Sequence, residues 1–249
     1  MLQKMTLITL LLLFNITMNA QFKKGDKMVG TSVGSVFFNT GNSDQTVTSI
    51  GRQTAKVKGY GVNIMPSLGW FIAENTAAGF SLLINPSGNK VSFEENGNTF
   101  QTDKSRYFNI GIGGFARSYF GKAKSLLPFG QLAINGGISD VKKDGFFYGG
   151  TGPSAYKETY DTKSSGGLFV DAIFTLGLTK MFGQYTGLDL SIGYDFSYTK
   201  NTMNTTTLRD NMVDGTIDET LKNETISKLT NHKFILGLGF QVFLERKKN

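Results

Sequence analysis

The sequence predicts an all-β fold, an eight-stranded antiparallel up-and-down transmembrane β-barrel. Three observations carry that prediction. Apolar residues alternate with small or polar ones at period two in eight separate segments. The connections between those segments alternate between short and long. The segment centres carry almost no charge on either face, so neither face is suited to bulk water.

Composition agrees. Within 249 residues there are 31 glycines and only 4 prolines, 18% charged residues and 12% aromatics. Disordered chains want high charge and few aromatics, and glycine costs a helix interior about 1 kcal/mol relative to alanine. A β-rich single domain remains. Mean hydropathy is close to zero, as expected of a barrel in which only alternate residues meet lipid.

The first segment, "MLQKMTLITLLLLFNITMNAQ", has one lysine, an apolar run from Met5 to Ile16 and small or neutral residues before Gln21. That is the layout of a secretory signal peptide over residues 1–20, cut after Ala20, and it leaves residues 21–249 as the barrel domain. The run is too short for a membrane-spanning helix, which needs about 20 predominantly apolar residues. Removal of Lys4 leaves 25 basic and 19 acidic residues, so the mature charge is 25 − 19 = +6. An exported chain of this size without cysteine draws its stability from its core or from complete strand pairing rather than from disulfides.

The strands follow in order. Residues 28–38 set Val29, Thr31, Val33 and Phe37 against Gly30, Ser32 and Gly34. Residues 59–72, "GYGVNIMPSLGWFI", set Tyr60, Val62, Ile64, Leu68, Trp70 and Ile72 against Gly61, Asn63, Met65, Ser67 and Phe71. Pro66 cannot donate to a ladder, so a local bulge or a non-donating position is expected there. After "AENT" the alternation resumes with Ala78, Phe80, Leu82 and Ile84. Residues 106–120 place Phe108, Ile110 and Ile112 on one face, and residues 128–139 place Leu132, Ile134 and Ile138. Residues 167–182 offer Leu168, Val170, Phe174, Leu176 and Leu178. Residues 187–198 are the most regular, with Leu188, Leu190, Ile192, Tyr194, Phe196 and Tyr198 opposite Asp189, Ser191, Gly193, Asp195 and Ser197. Residues 233–244 close the series with Phe234, Leu236, Leu238, Phe240, Val242 and Leu244.

The short connections are "AENT", "GKAKSLL" and "GQYT", and long polar loops are expected over residues 39–58, 86–104, 140–165 and 199–231. Short turns on one side and long loops on the other is the layout of an outer-membrane barrel, with both termini periplasmic and the long loops extracellular. The structural rival is a soluble eight-stranded barrel with a charged exterior and an apolar lumen. Here the less apolar face is mostly Gly, Ser, Asn and Thr, which suits a narrow lumen and makes a poor soluble exterior. Lysine or arginine facing lipid at mid-depth costs about 2–4 kcal/mol, and the apolar face avoids that cost throughout. Aromatics fall near strand ends as an interfacial girdle, with Trp70, Phe120 and Phe182 toward the short turns and Phe37, Phe108, Tyr194, Phe196 and Tyr198 toward the long connections.

The stretches "PSLGWFIAENTAAGFSLL", "GGFARSYFG", "LPFGQLAING" and "FILGLGFQVFL" together resemble the Gram-negative outer-membrane β-barrel family, in its small eight-stranded porin-like or OmpA/OmpX-like group. The last strand resembles the insertion signal read by the barrel-assembly machinery, through the spacing of Gly239, Val242 and Leu244; it departs in having Gly237 at a usually polar position and in ending "ERKKN". The chain stops soon after the eighth strand, so the peptidoglycan-binding domain of OmpA-like relatives is expected to be absent. The resemblance implies a structural, adhesive or surface-binding role, a monomer, and contact with outer-membrane lipids and lipopolysaccharide. A small porin passing ions or solutes is the alternative.

Some barrels of this size modify lipids, and that chemistry needs a histidine beside a serine or acid. The single histidine, His232, sits in "TNHKF" without the His–x–Ser arrangement that the lipid A deacylases resemble, so no catalysis is expected. No cofactor and no metal site is expected either, with one histidine and no cysteine, and nucleic acid is no partner for an exported barrel. The informative polar residues are Arg117, Asp171, Asp189 and Asp195, which all project into the lumen. Arg117 lies shortly before one short turn and Asp189 shortly after another, so the two share a depth and are expected to pair. The four residues either help plug the lumen or line a narrow pore.

Overall fold

The computed structural model describes residues 22–47, 51–95, 97–121, 125–150 and 152–245, with backbone but not side chains at 35, 37, 43–47 and 51–53. The expected signal segment and the side chain of Phe37 lie outside the described residues. Eight strands follow one another: β1 (Lys27–Val47), β2 (Gly51–Ala73), β3 (Thr76–Glu95), β4 (Asn98–Tyr119), β5 (Leu126–Gly149), β6 (Tyr156–Phe182), β7 (Thr186–Asn211) and β8 (Glu219–Leu244). Each pairs antiparallel with the next, and β1 pairs with β8 to close the barrel. Closure at the short-turn end meets the demand that in lipid backbone polar groups find protein partners.

The period-two pattern sorts side chains as expected. Leu188, Leu190, Ile192 and Phe196 of β7 face outward, while Asp189 and Asp195 are buried inside. Leu188 to Tyr198 is ten steps along β7. At about 3.4 Å per step and a tilt of about 40°, that covers about 26 Å, the height of the apolar band of membrane barrels. Trp70 sits at the short-turn edge of this band with Phe80 edge-on to it at 6.4 Å, and Tyr194 meets Phe234 at 5.5 Å toward the other edge.

The polar stretches expected to be loops are strands for most of their length. β7 and β8 stay in register out to Arg209↔Glu219, and β3 and β4 remain paired out to Glu95↔Asn98 across one register shift after Phe93. The reason lies in composition: threonine favours strands, and polar side chains pair across the ladders. Thr162 and Thr205 share a hydroxyl hydrogen bond of 2.9 Å, and Lys56 meets Glu94 at 2.6 Å. An aromatic row of Phe93, Phe100, Phe147 and Tyr156, with centroids 6.0–6.4 Å apart, ties β3 through β6 together at this distal end. Nearby, Tyr160 donates its hydroxyl to Asp103; burial, with that carboxylate beside it, pushes the phenol above its ordinary range, so it remains a donor at neutral pH.

Of the two alternatives expected at Pro66, the bulge is absent and the unpaired position is found: β2 keeps one register from Ile64↔Ile84 to Ser67↔Ser81, and the pairs between them are missing from the β2–β3 ladder. The facing expected along β1 is corrected by a bulge between Gly34 and Phe37. One extra residue there inverts the alternation, so Val36 and Phe38 face outward beyond it.

The β1–β8 seam is short. It runs from Lys27↔Leu244 only to Gly34↔Gly237, and Gly237 stands opposite Ser191, about a third of the way up the apolar band. Beyond that level the facing edges of β1 and β8 have no ladder between them among the described residues. Phe38 and Phe234 flank the parting and are 83% and 90% exposed, more than any other aromatic described. Amide hydrogen exchange should therefore be fast at alternate residues of β8 between 219 and 236, and slow along the β6–β7 ladder. Uniform protection of β8 out to Glu219 would mean that the seam closes along its full length.

Candidate functional site

The lumen is built in three levels. The lowest, at the short-turn end, is aromatic. Phe71, Tyr119, Phe129, Met181 and Phe243 point inward from five strands, and Phe22 enters among them from below. Phe22 lies 4.7 Å from the Phe71 ring and 4.4 Å from the Phe243 ring, stacked on both. Its backbone N–H donates to Asn75 Oδ1 at 3.1 Å, and its carbonyl accepts from the Asn75 N–H at 3.2 Å. Asn75 occupies the "AENT" turn with φ 56°, a left-handed conformation that asparagine tolerates better than most residues. The turn and the segment before β1 thus lock each other, and Phe22 corks the barrel. The expectation that the inner face is mostly Gly, Ser, Asn and Thr fails at this level.

Above the cork lies a charged layer. Arg117 Nη1 is 2.6 Å from Asp189 Oδ2, with side chains 5% and 3% exposed. Arg117 also donates through Nε to Gln131 Oε1 at 2.7 Å and through Nη1 to Tyr119 Oη at 3.1 Å, and its guanidinium lies 4.0 Å from the Phe129 ring centre. Asp189 accepts from Thr179 Oγ1 at 2.6 Å and from Gln241 Nε2 at 3.0 Å. Burying two ions is tolerable only when such additional bonds satisfy them. A void of about 40 Å³ sits against this layer, room for about one water.

Gly30 belongs to the same layer. A Cβ there would lie 1.8 Å from Gln241 Oε1 and 2.7 Å from the Phe240 carbonyl oxygen. The glutamine can swing away but the backbone cannot, so Gly30→Ala should destabilise the barrel by about 1–3 kcal/mol, read as a lower urea midpoint. An unchanged midpoint would show that β1 shifts freely there.

The third level is a cavity of about 410 Å³ toward the distal end. Asp171 and Asp195 line it, so the four lumen charges do not form one network; they divide into the Arg117–Asp189 pair below and the two aspartates above. Asp171 Oδ1 accepts from Asn135 Nδ2 at 2.8 Å, and Asn135 Oδ1 in turn accepts from Ser81 Oγ at 2.9 Å. Asp195 Oδ2 accepts from Lys233 Nζ at 3.3 Å. His232 is elsewhere: it faces outward, its Nδ1 at the Tyr194 hydroxyl and its ring against Phe196 at 5.2 Å.

Sequence reasoning missed Gln131, Gln241, Thr179, Tyr119 and Lys233. Their inward parity was legible, but except for Tyr119, which meets Arg117 on its own strand, their partners lie on other strands at depths that only closure defines. Phe22 carried no signal at all, since no alternation precedes β1.

No family model and no curated relative matches the sequence. Among solved structures, it is similar to the outer membrane protein OprG from Pseudomonas aeruginosa, at 14% identity and a TM-score of 0.41 over 92% of this chain and 100% of that one. It is also similar to Neisserial surface protein A, at 15% identity and a TM-score of 0.33 over 87% of this chain and 96% of that one.

Proposed function

We propose that this protein is an integral outer-membrane barrel that does not conduct, with a surface-binding role and no catalysis. The observation that carries this reading is the filled lower lumen: the Phe22 cork and the Arg117–Asp189 layer occupy it in series. An eight-stranded barrel is just wide enough for side chains to fill it. The outward apolar band of about 26 Å supports the membrane setting. The short turns and both termini then face the periplasm, and the long hairpins stand above the surface, where a rigid scaffold commonly presents binding residues. Outer-membrane lipid surrounds the band, lipopolysaccharide borders the hairpins, and the barrel inserts as a monomer through the barrel-assembly machinery. His232, engaged with aromatic rings on the outer face, supports a structural rather than a catalytic role.

Single-channel recording tests the reading. The refolded protein in a planar bilayer should insert and stay silent. Steady conductance would instead establish the small-porin alternative and require a water path past Arg117.

A further inference from the structure

The cavity above the charged layer is lined by three residues that each hold an acceptor with no donor partner. Asp195 is 4% exposed; Lys233 holds its Oδ2, and its Oδ1 has no partner. Asn201, 7% exposed, and the half-buried Asn109 also present carbonyl oxygens without partners, and all three residues line the same cavity. A buried acceptor left unpaired costs about 1–3 kcal/mol, more when it is charged. Two amide oxygens and one carboxylate oxygen thus stand unpaired within the wall of one cavity, a wall short of donors that a ligand can bring.

Charge narrows the class of donor. Asp171, Asp195, Lys143 and Lys233 face the cavity. The two carboxylates are fixed: Asp171 by the Asn135–Ser81 chain, Asp195 by burial. Lys233 is half exposed, on a long stem that can turn to water. The fixed charge is therefore negative and the mobile charge positive. Tyr107, Val141, Phe169 and Met203 add apolar wall beside these polar groups. A volume of about 410 Å³ falls within the range of small-molecule sites.

We infer that this cavity is a binding site for a small organic ammonium ion, its nitrogen at the Asp195 carboxylate in the place Lys233 Nζ now takes and its apolar body against Phe169 and Val141. The site is entered from the distal side, and in that respect it rests on the proposed sealed lumen. An incoming ammonium competes with Lys233 for the carboxylate.

Calorimetric titration of the refolded protein with benzylammonium, benzyl alcohol and benzoate tests the inference. Benzylammonium should bind at least about tenfold more tightly than the isosteric alcohol, the margin of one charge-assisted hydrogen bond, and benzoate should not bind. Asp195→Asn should weaken benzylammonium by about tenfold or more. Lys233→Met, which removes the competitor, should strengthen it. Equal affinity for ammonium and alcohol, or a Lys233→Met barrel that binds no better than the parent, would overturn the site. Conductance of the same preparation is read separately. Current through a barrel that still binds benzylammonium overturns the seal and leaves the site standing, whereas a silent barrel that binds nothing overturns the site alone.

Discussion

Asp189→Ala should lower the unfolding free energy of the barrel by about 3–5 kcal/mol, the cost of leaving one member of a buried ion pair without its partner. Three donors converge on that carboxylate, from Arg117, Thr179 and Gln241, and the substitution strands all of them in a layer with room for about one water. Arg117→Ala should cost a similar amount, since it frees Asp189 while removing the cation stacked on Phe129. The two losses should not add. Arg117→Met with Asp189→Leu removes both ions and refills the space, and apolar replacements of buried pairs are often neutral or better. Trp70, the single tryptophan, sits on the outer face and reports unfolding by fluorescence as urea is raised in phospholipid vesicles. Additive losses, or a midpoint untouched by Asp189→Ala, would show that the pair is solvated and not a structural layer.

Phe22→Ala should release the cork. Truncating a buried phenylalanine costs about 3–5 kcal/mol, and Phe22 is held between Phe71 and Phe243. Because it lies on the segment that leads into β1, part of that loss should appear as local opening and not as global unfolding. The Asn75 amide, which donates to the Phe22 carbonyl, should then exchange faster while the β6–β7 ladder stays protected. Conductance separates the two lower levels. Phe22→Ala alone should remain silent, because the Arg117–Asp189 layer still spans the lumen. Alanine at Phe22, Arg117 and Asp189 together should give steady current if the triple variant folds. A folded and silent triple variant would place the seal elsewhere.

Strand number and facing were legible from the residues. Period-two alternation is local, and the apolar face of each strand is written along its own length, as in Leu188 through Tyr198. Depth was legible wherever a strand meets a short turn, because the turn marks the membrane edge. Arg117 and Asp189 each lie a few residues from such a turn, so their pairing could be expected from the chain alone. The hairpins above the band were harder to read. Thr and Asn pair across strands or form loops with equal ease in isolation, and it is the neighbouring strand in register that decides. A bulge defeats parity altogether: one residue inserted after Gly34 puts Val36 and Phe38 on the outer face.

The sequence by itself determined an all-β chain of eight alternating strands, the outward apolar band and the inward position of four charged residues. Each of these depends only on the spacing of residues along one strand. Tertiary structure alone decided that Phe22 corks the lumen, that Asp171 and Asp195 separate from the Arg117 pair, and that β1 and β8 part above Gly34 and Gly237. Those features depend on how eight strands align in depth once the sheet closes. Residues far apart in the chain become neighbours across the lumen, and no local pattern encodes which ones.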